Sequence, residues 1–128
     1  MPGKISFAVQ AAPTDAGAWV SQARRVEAIG FEVLCAADHP GVTVSPFVAL
    51  AAVATETRSV GLGTAVVNAG VREPFDIASD VASLDLLSGG RAFLGLGAGH
   101  TPSEWSAVGR PYPSRPTASA GWPSSFPS

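Results

Sequence analysis

Apolar, strand-like runs begin near Lys4, Val33, Val60 and Ala92, and a run with helical spacing follows each of the first three. A recurrence of about 30 residues is the length of one strand–helix unit. Four such units in series require parallel strands joined by right-handed helical crossovers. Ile5, Phe7 and Val9 alternate with smaller residues and predict a first strand ending at Gln10. Trp19, Ala23, Val26 and Ile29 recur at helical spacing, and Gly30 stops that helix. Val33–Ala37 reads as strand two. Ser45-Pro46 supplies an N-cap and a first-turn proline for a helix reaching about Thr57. That helix is apolar nearly all round, so cover is expected on both sides. Val60–Val67 reads as strand three, ending at Asn68. Glu73-Pro74 opens a helix with Ile77, Val81 and Leu84 on one face.

The next stretch, LDLLSGGRAFLGLGAGH from Leu84 to His100, packs a helix end, a turn, a strand and a glycine-rich exit together. Gly89 or Gly90 can take the left-handed conformation that ends a helix. Ala92–Leu96 is too short for a core helix and predicts a strand buried on both faces. Gly97, Ala98 and Gly99 leave almost no side chain at its end, so backbone can approach a ligand there. The dinucleotide pattern G-x-G-x-x-G fails in both registers, because the sixth position is His100 from Gly95 and Pro102 from Gly97. This argues against a nicotinamide site.

Two architectures satisfy four such units: an open doubly wound sheet, or part of an eightfold barrel. Gln10, Asp38 with His39, Asn68, and Gly99 with His100 all fall just past the carboxyl ends of the strands. The opposite connections carry only Gly30-Phe31, Arg58-Ser59 and Gly89-Gly90. Barrel enzymes keep their active sites on the carboxyl rim, whereas an open sheet binds near one switch point. The pattern favours an α/β fold, the N-terminal half of a TIM-type (β/α)8 barrel.

Charged residues are only 14% of the chain, well below the usual quarter, so part of the surface is suited to being covered. A net charge of −2 gives nucleic acid no electrostatic hold. Cys35 is the single cysteine, which excludes an internal disulfide and a cysteine metal cluster; no metal site is expected. The longest uncharged run, Pro40 to Thr55, is shorter than a membrane span and contains Pro46. With no signal peptide visible, a soluble cytoplasmic domain is expected.

Three segments, GFEVLCAADHP (Gly30–Pro40), VGLGTAVVNAGVREP (Val60–Pro74) and LDLLSGGRAFLGLGAGH followed by Glu104-Trp105, together with their spacing, resemble the luciferase-like monooxygenase family. The look is nearest to the branch that uses coenzyme F420, with FMN as the alternative cofactor. The resemblance implies an oxidoreductase that moves a hydride between coenzyme F420 and a small organic substrate. It places Asp38 and His39 at the reactive face of the cofactor ring, with His39 as proton donor or hydrogen-bonding group. It sets Val67, Asn68 and Ala69 behind the ring, in a segment that carries a non-prolyl cis peptide in several members. It brings Gly97, Gly99 and His100 beside the cofactor. Plainer roles exist for the same residues. Asp38 can cap a loop amide or orient His39, Asn68 can serve a turn, and His100 can belong to the helix opening at Thr101. Cys35 and Trp19 read as core, and Asp80 and Asp85 as solvated helix residues.

Residues 1–114 are read as the half-barrel domain and 115–128 as a disordered tail. RPTASAGWPSSFPS has no apolar period. Read from the third base of the Arg115 codon, with G or C at free third positions, it yields a peptide with helical apolar spacing, so the tail is expected to be out of frame. A complete barrel takes about 250 residues, so this chain reads as truncated. It is expected to be inactive, poorly folded, or stable only by pairing with another half-barrel, as a homo-oligomer through its open sheet edges. A non-enzymatic fragment of a damaged gene is a further alternative, and a barrel lyase or isomerase a third, against which Lys4 at the wrong end of strand one counts.

Overall fold

The structure, a computed structural model, describes residues 3–114. The expectations for the 115–128 tail lie outside them. β1 (Ala8–Gln10), β2 (Val33–Ala36), β3 (Gly61–Thr64) and β5 (Ala92–Phe93) form one sheet in that order, every pair parallel. Register runs Ala8–Val33, Val33–Gly61 and Leu62–Ala92. Strand order equals chain order, as barrel closure requires.

Helices α1 (Ala16–Ala28), α2 (Pro46–Ala54) and α3 (Pro74–Ser88) cover one face of the sheet. The Asp15 carboxylate caps α1 by accepting the Ala18 N–H at 2.8 Å. Trp19, Ala23 and Val26 are its buried stripe, and the Trp19 indole donates to the Ala49 carbonyl at 2.7 Å, tying α1 to α2. In α2, Phe47, Ala49, Leu50, Val53 and Ala54 are buried. Cover on both sides of α2 was expected, but Val48 is exposed. The sheet and the flanking helices α1 and α3 take three sides of α2 and leave its outer edge to solvent. Ser45 stands at the N-cap without a side-chain hydrogen bond, and Pro46 fills the first turn, where its missing N–H has no helical partner to lose.

Arg91 fastens the amino-terminal rim. Its guanidinium donates to the carbonyls of Ala54, Thr57, Val60 and Ser88 and to the Thr57 hydroxyl. One cation therefore satisfies carbonyls at the end of α2 and in the turn after it.

Strands three and four are each broken in two. The chain leaves β3, passes a cis peptide at Ala65–Val66, and resumes as β4 (Val67–Asn68). It likewise leaves β5 and resumes as β6 (Leu96–Gly97), which pairs parallel with β4 in a separate ribbon. Thr64 bridges the break, its hydroxyl donating to the Gly95 carbonyl and accepting the Gly95 N–H, both at 3.0 Å.

Two strand expectations need correction. β1 starts at Ala8 rather than Ile5, and Ile5 and Phe7 are exposed. Strand four is not buried on both faces, because Phe93 and Leu96 are exposed. β1 and β5 are the sheet's two edges. Ala92 packs on the core, so Phe93, next in the alternation, turns to the side away from the helices. Among the described residues no helix is long and apolar enough to cross a membrane. A short helix, α4 (Pro102–Ala107), closes the described chain on the carboxyl rim.

Candidate functional site

Three strand ends and a short helix converge on the carboxyl rim. β2 delivers Asp38 and His39, β4 ends in Asn68, β6 runs into Gly97–His100, and α4 brings Glu104 across. The Asp38 side chain is 1% exposed. Its Oδ2 accepts the Asn68 N–H at 3.0 Å and the Arg72 Nε–H at 2.7 Å, and its Oδ1 accepts Arg72 Nη2 at 2.7 Å. The hydrogen bond to Asp38 raises the pKa of Arg72 above its ordinary value against the opposing effect of burial. Asp38 therefore joins the end of β2 to the turn after β4 and keeps Asn68 in place.

His39 is held at three points. Its N–H donates to the Thr43 hydroxyl at 3.0 Å, and its carbonyl accepts the Val42 and Thr43 N–H groups at 2.9 Å. Its ring Nδ1 lies 2.8 Å from Glu104 Oε1. Glu104 is 4% exposed, and its other oxygen accepts Asn68 Nδ2 at 2.5 Å. Asn68 Oδ1 in turn accepts the Gly70 N–H at 3.1 Å. The His100 ring stands edge-on to that of His39, with centroids 5.9 Å apart at 89°.

These groups surround an open cleft of about 270 Å³. Its floor is Gly97–Ala98–Gly99, where no side chain exceeds a methyl group. Gly99 has φ +79, and a Cβ there would lie 2.1 Å from Asn68 Oδ1. Only glycine lets this backbone pass so close to Asn68.

Of the residues expected at the site, Asp38, His39, Asn68, Gly97, Gly99 and His100 line this one cleft. Val67 is buried in the core instead. Ala69 lies on a separate apolar groove with Pro74, Ile77, Leu94 and Leu96. The cleft face of that segment belongs to Ala65 and Val66, which carry the cis peptide. Sequence reasoning missed Glu104, Arg72 and Val66. Alternation from buried Val67 points to Val66, and Arg72 lies inside the quoted VREP segment. Glu104 carries only a helix-start signal, which does not foretell burial. Burial pushes the Cys35 thiol up, which suits a packing residue rather than a nucleophile. Asp85 is exposed, and its Oδ1 accepts the Ala92 N–H at 3.2 Å; Asp80 is half-buried.

Consecutive parallel strands, helices on one side and polar groups gathered at the carboxyl rim define the amino-terminal units of an α/β barrel with its site at the usual end. The family described as luciferase-like monooxygenase matches residues 2–119, and the chain belongs to it. It is 39% identical over 88 residues to 4-hydroxyprotoasukamycin monooxygenase of Streptomyces nodosus subsp. asukaensis, covering 66% of this chain and 24% of that one. It is 32% identical over 111 residues to 5,10-methylenetetrahydromethanopterin reductase of Methanopyrus kandleri, covering 86% and 31%. The solved coenzyme F420 dependent tetrahydromethanopterin reductase from Methanopyrus kandleri superposes with a TM-score of 0.75 at 31% identity, covering 86% of this chain and 31% of its own. The chain thus spans 24–31% of the length of these relatives.

Proposed function

We propose that the cleft takes the tricyclic ring of coenzyme F420, in a luciferase-like oxidoreductase that moves a hydride between this deazaflavin and a small organic substrate. One observation carries the reading: a floor of Gly97–Ala98–Gly99, with no side chain larger than a methyl group, faced by an imidazole whose Nδ1 is already engaged. A flat fused ring fits such a floor, with Ala65 and Val66 as apolar contacts and Asn68 and His100 at the side. When bound, the deazaflavin supplies the hydride chemistry, and the protein supplies orientation and proton handling. His39 is the group placed to hold or pass a proton at Nε2, since its Nδ1 is engaged by Glu104. Asp38, Arg72 and Thr43 keep its loop from swinging. The F420 dependence of the similar Methanopyrus kandleri reductase is what supports a deazaflavin in this reading, with FMN as the alternative. The reading assigns no nucleic-acid or membrane partner, in keeping with the net charge of −2, and a cytoplasmic setting.

The test is a titration of the 128-residue chain with F420 and with FMN, followed by absorbance and fluorescence. Saturable F420 binding at least tenfold tighter than FMN binding is expected. Tighter FMN binding overturns the reading in favour of a flavin monooxygenase. Binding of neither, by a chain with normal circular dichroism, overturns it in favour of a non-enzymatic module.

A further inference from the structure

A second cavity opens on the carboxyl rim, between the loops that follow β1 and β2. It holds about 360 Å³, within the range of small-molecule sites, and shares His39 as a wall with the glycine-floored cleft. Ala12, Pro13, Ala37 and Val44 give it an apolar lining. The segments that line it, 10–13, 36–37 and 43–44, contain no Lys, Arg, Asp or Glu. The acids nearest in sequence are already engaged: Asp15 caps α1, and Asp38 is clasped by Arg72.

Besides His39, two polar side chains reach this cavity, Gln10 and Thr43. The Thr43 hydroxyl is committed to its own loop. It accepts the His39 N–H at 3.0 Å and lies 3.4 Å from the Ala37 and His39 carbonyls. The Ala11 N–H goes to the Cys35 carbonyl at 2.9 Å, and Pro13 has no N–H to offer. Gln10 is different. It is exposed, and among the described residues its carboxamide has no hydrogen-bond partner. Pairing of Gln10 with Cys35 fixes its backbone in the sheet. Val9 packs on the core, so Gln10, next in the alternation, turns to the side away from the helices. The strand end therefore presents a free NH2 and a free C=O to an otherwise apolar cavity.

We infer that this cavity binds an uncharged, largely apolar organic molecule, held by a hydrogen bond between one of its oxygen atoms and the Gln10 carboxamide. Naming that molecule the substrate rests on the reading that the neighbouring cleft takes the cofactor ring, because His39 is then the wall between the two. The binding site itself does not need that reading. A charged group entering here loses its water and meets no counter-ion, a cost that an uncharged molecule escapes. Gln10 is thus a specificity-determining residue. Among the molecules that the apolar walls accept, it favours those with a carbonyl, ether or hydroxyl oxygen in reach.

The experiment is nitrogen-15 NMR of the 128-residue chain labelled at its glutamine side chains, titrated with acetophenone and with benzoate, probes of like size that differ in charge. The chain has two glutamines, Gln10 and Gln22, so the spectrum holds two NH2 pairs, which a Gln10→Leu sample assigns. Gln22 lines a different cavity and serves as the control. Acetophenone is expected to shift the Gln10 pair saturably and leave Gln22 in place, with benzoate binding at least tenfold more weakly. Gln10→Lys supplies the missing counter-ion, so in that variant, with circular dichroism like the native chain's, benzoate should bind more tightly than acetophenone. An unmoved Gln10 pair up to the solubility limit of acetophenone overturns the inference, as does an equal shift at Gln22. Benzoate binding as tightly as acetophenone to the native chain overturns it too, and so does a folded Gln10→Lys chain that still prefers acetophenone. No cofactor is present in this measurement. Failure to bind F420 therefore leaves its result intact, and F420 binding without a Gln10 shift sinks this site alone.

Discussion

Arg72 clasps Asp38 through two parallel hydrogen bonds, Nε to Oδ2 and Nη2 to Oδ1, both 2.7 Å long, with the carboxylate 1% exposed. The pair links two strand ends that are far apart in sequence, and the same carboxylate holds the Asn68 N–H. Removing the cation leaves Asp38 buried with one backbone donor. Arg72→Met is therefore expected to cost about 3–5 kcal/mol, the range for breaking a buried pair from one side. Urea unfolding of the two chains checks it. A loss below about 1 kcal/mol would mean that water reaches Asp38 freely.

Glu27 governs a different part of the stability. Burial acts to raise its pKa, but the N–H groups of Arg58, Ser59 and Val60, at 2.7–2.9 Å from one oxygen, outweigh it and hold the group at about 2 against a usual 4.5. A depressed acid contributes stability above its unfolded pKa and loses it as pH falls through the folded one. Stability from this group is thus expected to be constant above about pH 4.5 and to drain away from there down to about pH 2. In Glu27→Gln that pH dependence should be absent, so the two unfolding curves converge at acid pH. A gap between them that stays constant from about pH 6 to about pH 2 would assign the stabilisation to shape rather than charge.

The parallel direction of the strands was legible because strand–helix units of about 30 residues return each strand in the same sense. So was the rim, since Asp38, His39, Asn68 and His100 each follow a strand. The breaks after Thr64 and Phe93 were not legible. Ala65, Val66, Leu94 and Gly95 continue the apolar run, and only the Thr64–Gly95 hydrogen bonds across the sheet reveal the gap. The exposure of Phe93 and Leu96 was hidden for another reason: an apolar run says what side chains are fit to bury, not which neighbours arrive to bury them. Glu104 was unreadable because a glutamate near a helix start is usually solvated. Its burial depends on Asn68, 36 residues earlier.

Gly99 and Gly109 both sit in the left-handed region, at φ +79 and +70, but their surroundings differ. A Cβ at Gly109 meets nothing within 4 Å, while one at Gly99 strikes the Asn68 amide. Gly109→Ala should show the left-handed penalty alone, roughly 1–2 kcal/mol. Gly99→Ala should cost more and should also displace Asn68 from Glu104, weakening F420 binding at least tenfold. Thermal melts and cofactor titrations of the two variants side by side separate strain from the site. Equal effects in both would show that the Asn68 contact is dispensable.

The last expectation concerns the two sheet edges. Ile5 and Phe7 share the side of Val9 but lie exposed beside β1. At the other edge, Leu94 and Leu96 line an open apolar groove with Ala69, Pro74 and Ile77. Each edge also presents unpaired strand backbone, which invites pairing with another chain. Four parallel strands are half of what closes a barrel. Two copies, with β1 of each beside β5 of the other, supply eight in the same direction and bring the Ile5/Phe7 flank against the Leu94/Leu96 groove. The 128-residue chain is therefore expected to sediment as a dimer at micromolar concentration. Phe7→Lys/Leu96→Lys should sediment as a monomer, with its own melting little changed, because surface substitutions are usually worth within about 0.5 kcal/mol. A native chain that stays monomeric at every concentration rejects the pairing. A double variant that dimerises as well as the native chain moves the contact away from these edges.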